Sequence, residues 1–414
     1  MRERLANKLA QLVELFRKGK AAADSKWWNE NSSRSIFYPL YGYQDGEPLF
    51  EEIVKGTMEL NSNMLSRIEV ERKTMFDFLQ KETINVTKHQ HHHNQRLIGE
   101  ANDFINEMER FETWQDVDVP IANLWHNGEP VSLGYVTFMA INEGELEQWK
   151  SKPVMWPEKA PDVRVLVRIR APGDKHRALQ YTRTQVDLVL DVLRACCFPF
   201  GRNSDTWKIG VVGDIIASTS TPMRINNREY VTQLGASTAQ IELKRILREL
   251  SDSQLDRINR LITKTHTSNM ENKLLTCIHW LAESTKQDTT NAKFAKIGFA
   301  LETLIGSEPH AVELKVRGIT AMLAERAAFI GGENLDDRLD IDRQIRTYYG
   351  MRSDIVHGGA GDVTLEDIDG FGELTRRLVF SVLTILDRFG EAMSNVDELE
   401  AWVKRQRYTL PDSI

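Results

Sequence analysis

The sequence predicts an α+β region followed by an all-α helical bundle. Segments rich in β-branched residues, with alternating polarity, lie between about residues 116 and 235 and indicate strands. After about residue 237, apolar residues recur at i, i+3 and i+4 as far as Phe389, as in helices that bury one face. We predict an N-terminal region over 1–235, helical over 1–115 and strand-rich over 116–235, and a helical domain over 236–414.

Composition excludes several classes of protein. The chain has 414 residues, 41% apolar and 27% charged, which is typical of a soluble globular protein. A net charge of −7 argues against coating nucleic acid by bulk electrostatics, so contact with RNA should be local. Three cysteines without a CxxC pair fit a reducing cytoplasm, and no apolar run approaches the roughly 20 residues that span a membrane.

The strand-rich part has one clear sheet pattern. In "DVRVLVRIRAP", at 162–172, valine and isoleucine alternate with arginines, so one face should be buried and the other cationic, interrupted by Leu166. "VSLGYVTFMAI" and "TWKIGVVGDIIAS" are two further strand candidates, and "TQVDLVLDVLRACC" is a helix with Thr184 as its N-cap. The row of Arg164, Arg168 and Arg170 fits either a binding surface for RNA, a nucleotide or a phage product, or a solubilising face.

The C-terminal domain contains three long apolar stripes. Glycines at 306, 331–332 and 358–359 fall where these helices should end, and Thr364 resembles an N-cap. Faces of this kind must pack against one another, which predicts a helical bundle. The stripes consist of Phe294, Ile297, Leu301, Leu304 and Ile305; Ile319, Leu323, Ala327 and Ile330; and Phe371, Leu374, Leu378, Val382, Ile385 and Phe389.

A candidate site lies in "GMRSDIVHGGA", at 350–360. We expect a helix from near residue 336 to His357, on which Arg352 and His357 lie about 140° apart. Ser353 falls between them, and the negative end of the helix dipole favours a protonated imidazole. Such a pair can flank a phosphate, with histidine moving protons and arginine holding charge. The alternative is that both side chains only cap carbonyls or pair with Asp354.

The same segment, together with "KFAKIGFALETLIG" at 293–306 and "HWLAESTKQDTTNAKFAK" before it, resembles the HEPN superfamily, closest to its Apea-like branch. The resemblance covers roughly residues 240–395 and matches the family's Arg-x4-His motif at Arg352, Ser353 and His357. It implies a HEPN-like helical bundle that cleaves RNA without metal or cofactor through a 2′,3′-cyclic phosphate. His357 would move protons and Arg352 would hold the phosphate. Ser353 stands where Asn, Asp or His is frequent.

The resemblance also implies a homodimer in which both motifs line one cleft, and a toxin or anti-phage defence role in which tRNA or another cellular RNA is cut. Arg346 and Tyr349 on the motif helix are candidates for RNA contact by charge and stacking, although Tyr349 equally suits the dimer seam. A phage-derived or protein regulator would act on the N-terminal region. The alternatives are an inactive HEPN-type module that binds RNA or nucleotide, and a regulatory partner whose helices only dimerise.

Four further features have weaker functional interpretations. "HQHHHNQR" pairs His89 with His93 at metal-ligand spacing, but a solvated polar face is the favoured interpretation. His279 and Glu283 lack the second histidine of a zinc peptidase motif, and the GxxG at 210–213 lies in a strand pattern. Glu302 is expected to face the motif helix, where its carboxylate would anchor Arg352 or Arg326.

Overall fold

The computed structural model describes most of the chain, and the described part is mainly helical with a small antiparallel sheet. The mixed α+β region followed by helices is therefore confirmed. The chain divides into two compact units, residues 1–117 with 169–184 and residues 118–168 with 185–414. The predicted division of roles at residue 235 stays a prediction. The described residues are 1–22, 46–61, 64–80, 93–142, 144, 163–201, 208–211, 219–225, 228–234, 241–306, 318–358 and 362–408.

The first compact unit is built on short helices. Its apolar core includes Leu9, Ile53 and Ile105, all with no exposed surface. Asp174 accepts hydrogen bonds from the backbone N–H and the hydroxyl of Ser66 at 2.5 and 3.1 Å. Its elements, as far as residue 110, are α1 (Arg2–Ala22), α2 (Gly46–Leu60), α3 (Arg67–Arg72), a π-helix (Lys73–Gln80) and α4 (His93–Arg110).

Five strands form one sheet in the order β3-β4-β5-β1-β6, and two further pairs form small sheets, β2 with β9 and β7 with β8. The strands are β1 (Trp114–Ala122), β2 (Leu124–Trp125), β3 (Val131–Leu133), β4 (Val136–Ala140), β5 (Val163–Pro172), β6 (Gly210–Val211), β7 (Thr219–Ile225), β8 (Arg228–Leu234) and β9 (Ile241–Glu242). The hairpin β7–β8 and the short β9 extend strand structure beyond the segments quoted from the sequence.

Strand β5 confirms the predicted alternation, because Val165, Val167 and Ile169 are buried. Leu166 is also buried, at 6% exposure, so its expected outward position is wrong. It lies opposite Met139 of β4. The arginine row is engaged within the fold: Arg168 donates to both carboxylate oxygens of Asp118, at 2.8 and 2.9 Å.

The helix after β5 is longer than predicted. It runs over Lys175–Cys197 as α5, so Thr184 lies inside it, where its hydroxyl donates to the carbonyl of Gln180 at 3.1 Å. The prediction of Thr184 as N-cap is wrong. Asp174 precedes the helix and accepts from the N–H of His176 at 2.8 Å, the bond that a capping side chain makes.

The helical part of the second unit contains the predicted stripes. Their residues are buried, except that Ile319 is 38% exposed and Phe389 is half-buried. Thr364 forms the predicted cap with a capping box, and Gly306 and Gly332 are C-caps. The helices are α6 (Leu243–Leu247), α7 (Asp252–Thr263), α8 (Asn269–Thr285), α9 (Thr290–Ile305), α10 (Ile319–Gly331), α11 (Leu335–Val356), α12 (Leu365–Phe389) and α13 (Val396–Tyr408), with a 3-10 turn at Gly390–Met393.

The turn after α5 is clamped to the first half of α12. The N–H of Gly201 donates to Asp369 at 2.6 Å. Arg376 donates to the carbonyl oxygens of Ala195, at 2.8 Å, and of Phe198, and its guanidinium lies 4.5 Å from the centre of the Phe200 ring. Within the described residues, no helix is both long and apolar enough to cross a membrane.

Candidate functional site

The motif arginine, on α11, packs against α9. The side chain of Arg352 is 12% exposed, and its Nη2 lies 2.8 and 2.9 Å from the two carboxylate oxygens of Glu302. Its guanidinium also lies 5.0 Å from the centre of the Phe299 ring and 5.4 Å from that of Tyr349. One carboxylate and two aromatic rings therefore fix its position, and the expected anchoring of Arg352 by Glu302 is confirmed.

Gly298 makes room for this arrangement. A Cβ atom at that position would lie 2.6 Å from Cγ of Arg352, closer than non-bonded carbon atoms approach. Gly298, Phe299 and Glu302 belong to one turn of α9, so a single stretch of sequence, "GFALE", supplies the floor, one ring and the carboxylate. We call this arrangement of Gly298, Phe299, Glu302 and Tyr349 around Arg352 the arginine cradle.

Tyr349 completes the cradle from the motif helix itself. Its hydroxyl donates to Glu302 at 2.5 Å, and the residue is 4% exposed. Burial, the hydrogen bond to Glu302 and the charge of that carboxylate raise the pKa of Tyr349 well above its usual value, so the hydroxyl remains a donor. The ring faces Arg352 instead of solvent, and the stacking on RNA expected of it would require this packing to open.

One donor of Arg352 is left without a partner. Nε is buried, and no described residue accepts a hydrogen bond from it. A buried N–H without an acceptor costs about 1–3 kcal/mol. An oxygen atom that reached Nε from a bound group would recover that free energy. The cradle thus holds the guanidinium in position but leaves one of its N–H donors without a hydrogen-bond acceptor.

His357 is the C-cap of α11, where its N–H donates to the carbonyl of Ser353 at 3.0 Å. The residue is exposed, and Ser353 is half-buried. Gly358 follows with a φ of 89°, a conformation that glycine adopts without strain. The helix therefore ends as predicted, with an imidazole presented to solvent one and a half turns after Arg352.

Arg346 also faces solvent, but it is paired. Its Nε and Nη2 donate to the two oxygens of Asp342 at 2.7 and 3.1 Å. These hydrogen bonds raise the pKa of Arg346. The structure therefore brings Arg352, Tyr349 and Glu302 together and leaves Arg346 outside the cradle, on the exposed side of α11 with His357.

The other candidates have structural partners. Arg326 donates to the carbonyl of Ile305 at 2.9 Å and to Glu400, so it is not anchored by Glu302. His279 Nδ1 lies 2.7 Å from a carboxylate oxygen of the buried Asp191. Glu283 binds Lys286 at 2.6 Å and Lys296 at 3.0 Å.

For the histidine-rich segment, His89 lies outside the described residues, and His93 begins α4. In the part of the chain that is described, no group of three or more His, Cys, Asp or Glu side chains could hold a metal ion. Gly210 belongs to β6, whereas Gly213 is outside the described ranges. Comparison of the chain with protein-family models, curated proteins and solved structures finds no match.

Proposed function

We propose that this chain is a metal-independent endoribonuclease with a HEPN-like helical domain, in which Arg352, Ser353 and His357 form the catalytic motif. The arginine cradle is the observation that carries the proposal. Arg352 is held by an acid and two rings and keeps a buried donor unpaired, a feature that it shares with Arg407, but only Arg352 lies on the motif helix. That is the arrangement expected of a group that receives an oxyanion.

The reaction follows from the two side chains. The ribose 2′-OH attacks the adjacent phosphorus and loses its proton to an imidazole, while the 5′-oxygen of the next nucleotide leaves with a proton. The products are a 2′,3′-cyclic phosphate and a 5′-OH. Arg352 stabilises the charge on the phosphoryl oxygens, and a preorganised cation does so without reorganisation during the reaction. Arg346 and Ser353 would contact the RNA backbone beside His357.

One histidine cannot easily serve both proton transfers, so we propose that a second copy of the chain supplies the other. The exposed face of α11 suits such a pair. Leu335 and Leu339 are 70% and 55% exposed, and Gly350 has open space beyond its Cα. They lie within about 60° of Arg346 and Ser353 on the helix. The same face carries Asp342 and Arg346, which makes it self-complementary in charge around a twofold axis.

Cellular RNA such as tRNA is the proposed substrate, and arrest of the cell, as a toxin or in anti-phage defence, is the proposed role. The runner-up is an inactive module that holds RNA or nucleotide in the same cleft. The ion pair between Arg352 and Glu302 favours it, because a phosphate must compete with that carboxylate.

The deciding experiment incubates purified protein with total tRNA in EDTA. Wild type should cleave, and His357→Ala should lose at least about 100-fold of the rate. His176→Ala removes another exposed histidine and should cleave as wild type does. Fragments should end in cyclic phosphate by mass spectrometry. Binding of tRNA without cleavage would favour the module.

The dimer is tested by Leu339→Glu. In a dimer, the two introduced glutamates would lie near the two Asp342 carboxylates and repel them. Light scattering should therefore show monomers where wild type shows dimers, and cleavage should fall in parallel. Leu365→Glu, at a residue 41% exposed on the first turn of α12, provides the matched control. A wild-type protein that is monomeric at micromolar concentration and still cleaves would contradict the composite cleft.

A further inference from the structure

A pocket lies at the far end of α12 from the motif, where α7, the start of α8 and the 3-10 turn meet. Its volume is about 390 Å³. Small-molecule sites span roughly 300–1,000 Å³, so this pocket has the size of a compact ligand. Its lining includes Arg257, Arg260, Leu261, Lys264, Leu386 and Gly390.

The floor is apolar. Leu261 and Leu383 are 5% and 4% exposed, and Leu386 is half-buried beside them. At one wall Gly390 has a φ of 56° and no atom within 4 Å of the Cβ position. A ligand can therefore approach the backbone there. This floor suits the apolar face of an organic group and does not suit a bare hydrated ion.

The rim is cationic. Arg257, Arg260 and Lys264 follow one side of α7 and its C-cap, with side chains 26%, 60% and 50% exposed. They outnumber the two acids that line the pocket, Asp387 and Glu271. Three fixed charges on one rim attract an anion, and a guanidinium fork matches the oxygens of a phosphate.

Both acids are already engaged. Asp387 lies 2.6 Å from Arg260 and 3.4 Å from Arg257, and Glu271 accepts from Lys264 at 2.8 and 3.0 Å. An arginine has five N–H donors and a lysine three, so each cation retains donors after these bonds. The acids thus position the cations and leave the rim with an excess of positive charge.

We propose that this pocket binds a small organophosphate with an apolar body, with a nucleoside monophosphate as the test ligand. The base would lie on the leucine floor, and the phosphate would bind Arg260 and Lys264 at the rim. The site is separate from the proposed catalytic motif, because it is built on the last turns of α12, whereas the motif lies at the end of α11, before the first turn of α12. Over about 20 helical residues that separation is about 30 Å.

The test is calorimetric titration of the full chain with AMP, GMP, CMP and UMP. At least one nucleotide should bind. The matching nucleoside, which lacks the phosphate, and inorganic phosphate, which lacks the base, should each bind at least about tenfold more weakly. Arg260→Glu should weaken binding by about tenfold or more. Arg388→Glu reverses a neighbouring charge that does not line the pocket and should bind as wild type does.

The variant Arg352→Ala distinguishes a failure of the pocket proposal from a failure of the nuclease proposal. A ligand seated in the pocket binds that variant unchanged, whether or not the protein cleaves RNA. Loss of binding in Arg352→Ala with normal binding in Arg260→Glu would place the nucleotide at the motif and overturn the pocket proposal. Absence of heat with all four nucleotides at about millimolar concentration, the weak end of specific binding, would overturn it as well.

Discussion

Two arginines lie in the interior of the helical part and are anchored differently. Arg326 on α10 is 3% exposed and binds both a backbone carbonyl of α9 and Glu400 of α13. Arg352 on α11 is bound at one end by Glu302, is flanked by two rings, and keeps Nε unpaired. The first arginine links three helices. The second is held in position on the helix that ends at the exposed His357.

This contrast distinguishes an arginine that stabilises the fold from one that we propose takes part in the reaction. A buried cation stabilises a fold when all its donors are met, and it is costly otherwise. Arg326 bonds a backbone carbonyl and a carboxylate from two other helices, so its loss should lower stability. Arg352 keeps Nε unpaired, and retaining a costly donor makes physical sense when a ligand satisfies it. Burial alone would not distinguish the two, because both side chains are largely enclosed.

The largest expected effect is on folding. Arg326→Ala removes the donor to the carbonyl of Ile305 and leaves Glu400 with Lys404, at 2.7 Å, and it should lower the free energy of unfolding by about 3 kcal/mol. Arg352→Ala should cost less, about 1–2 kcal/mol, because Glu302 is partly exposed and keeps the hydroxyl of Tyr349 as a donor. Urea denaturation of both variants measures this. Equal losses would remove the distinction between the two arginines.

The acids that hold the arginines offer a second test, which depends on the proposed nuclease activity. Glu302→Gln keeps an acceptor for Tyr349 but removes the charge that fixes Arg352, so kcat should fall about 10- to 100-fold with little change in KM. Glu400→Gln is the matched control, and it should lower stability while kcat stays constant. A Glu302→Gln variant that cleaves at the wild-type rate would show that the anchor is only structural.

A third test concerns Glu283, which forms ion pairs with Lys286 and Lys296 in the hairpin of α8 and α9. Burial alone would raise its pKa, but hydrogen bonds from Lys286 and Lys296 lower it to about 2 from 4.5. Because the folded pKa is depressed, this stabilisation is complete above about pH 4.5 and is lost as pH falls towards 2.

Wild type should therefore exceed Glu283→Gln in unfolding free energy by about 1–3 kcal/mol at pH 6, and the gap should close near pH 2. Thermal melts of both proteins across this range measure it. A gap that does not depend on pH would mean that packing, and not the charge of the carboxylate, stabilises this hairpin.

The smallest effect compares two glycines. Gly298→Ala would push the new methyl group against Arg352 and should reduce cleavage about 3- to 10-fold by displacing the guanidinium. Gly99 lies inside α4 with no atom within 4 Å of its Cβ position, so Gly99→Ala should stabilise by about 0.5–1 kcal/mol without changing cleavage. Equal cleavage by the two variants would show that the floor of the cradle tolerates a methyl group.

Much of this arrangement could be predicted from local sequence. The motif helix was expected over 336–357 and runs over Leu335–Val356, because Asn334 caps one end and a glycine turn follows the other. The apolar stripes identify the faces that pack. The pairing of Glu302 was predicted only as a choice between Arg352 and Arg326, since either lies within reach of α9.

Features that depend on contacts between helices distant in sequence could not be predicted from local sequence. Gly298 carries no local signal that the side chain of an arginine will lie against it. The segment "RTQVDLVL" likewise does not reveal that its helix begins eight residues earlier, at Lys175. There Thr184 satisfied the sequence rule for an N-cap, but the aspartate before the helix is the residue that caps it. The hairpin β7–β8 was missed because its strands are polar as well as β-branched.

The clamp between the turn at 198–201 and α12 has a mechanical consequence. Gly201 is bonded to Asp369, and Arg376 holds the preceding carbonyls, so the first three turns of α12 and the end of α5 form one stiff piece. His357, the C-cap of α11, precedes the first residue of α12 by eight positions in the sequence. A ligand or partner that displaced the end of α5 would therefore displace the start of α12 with it.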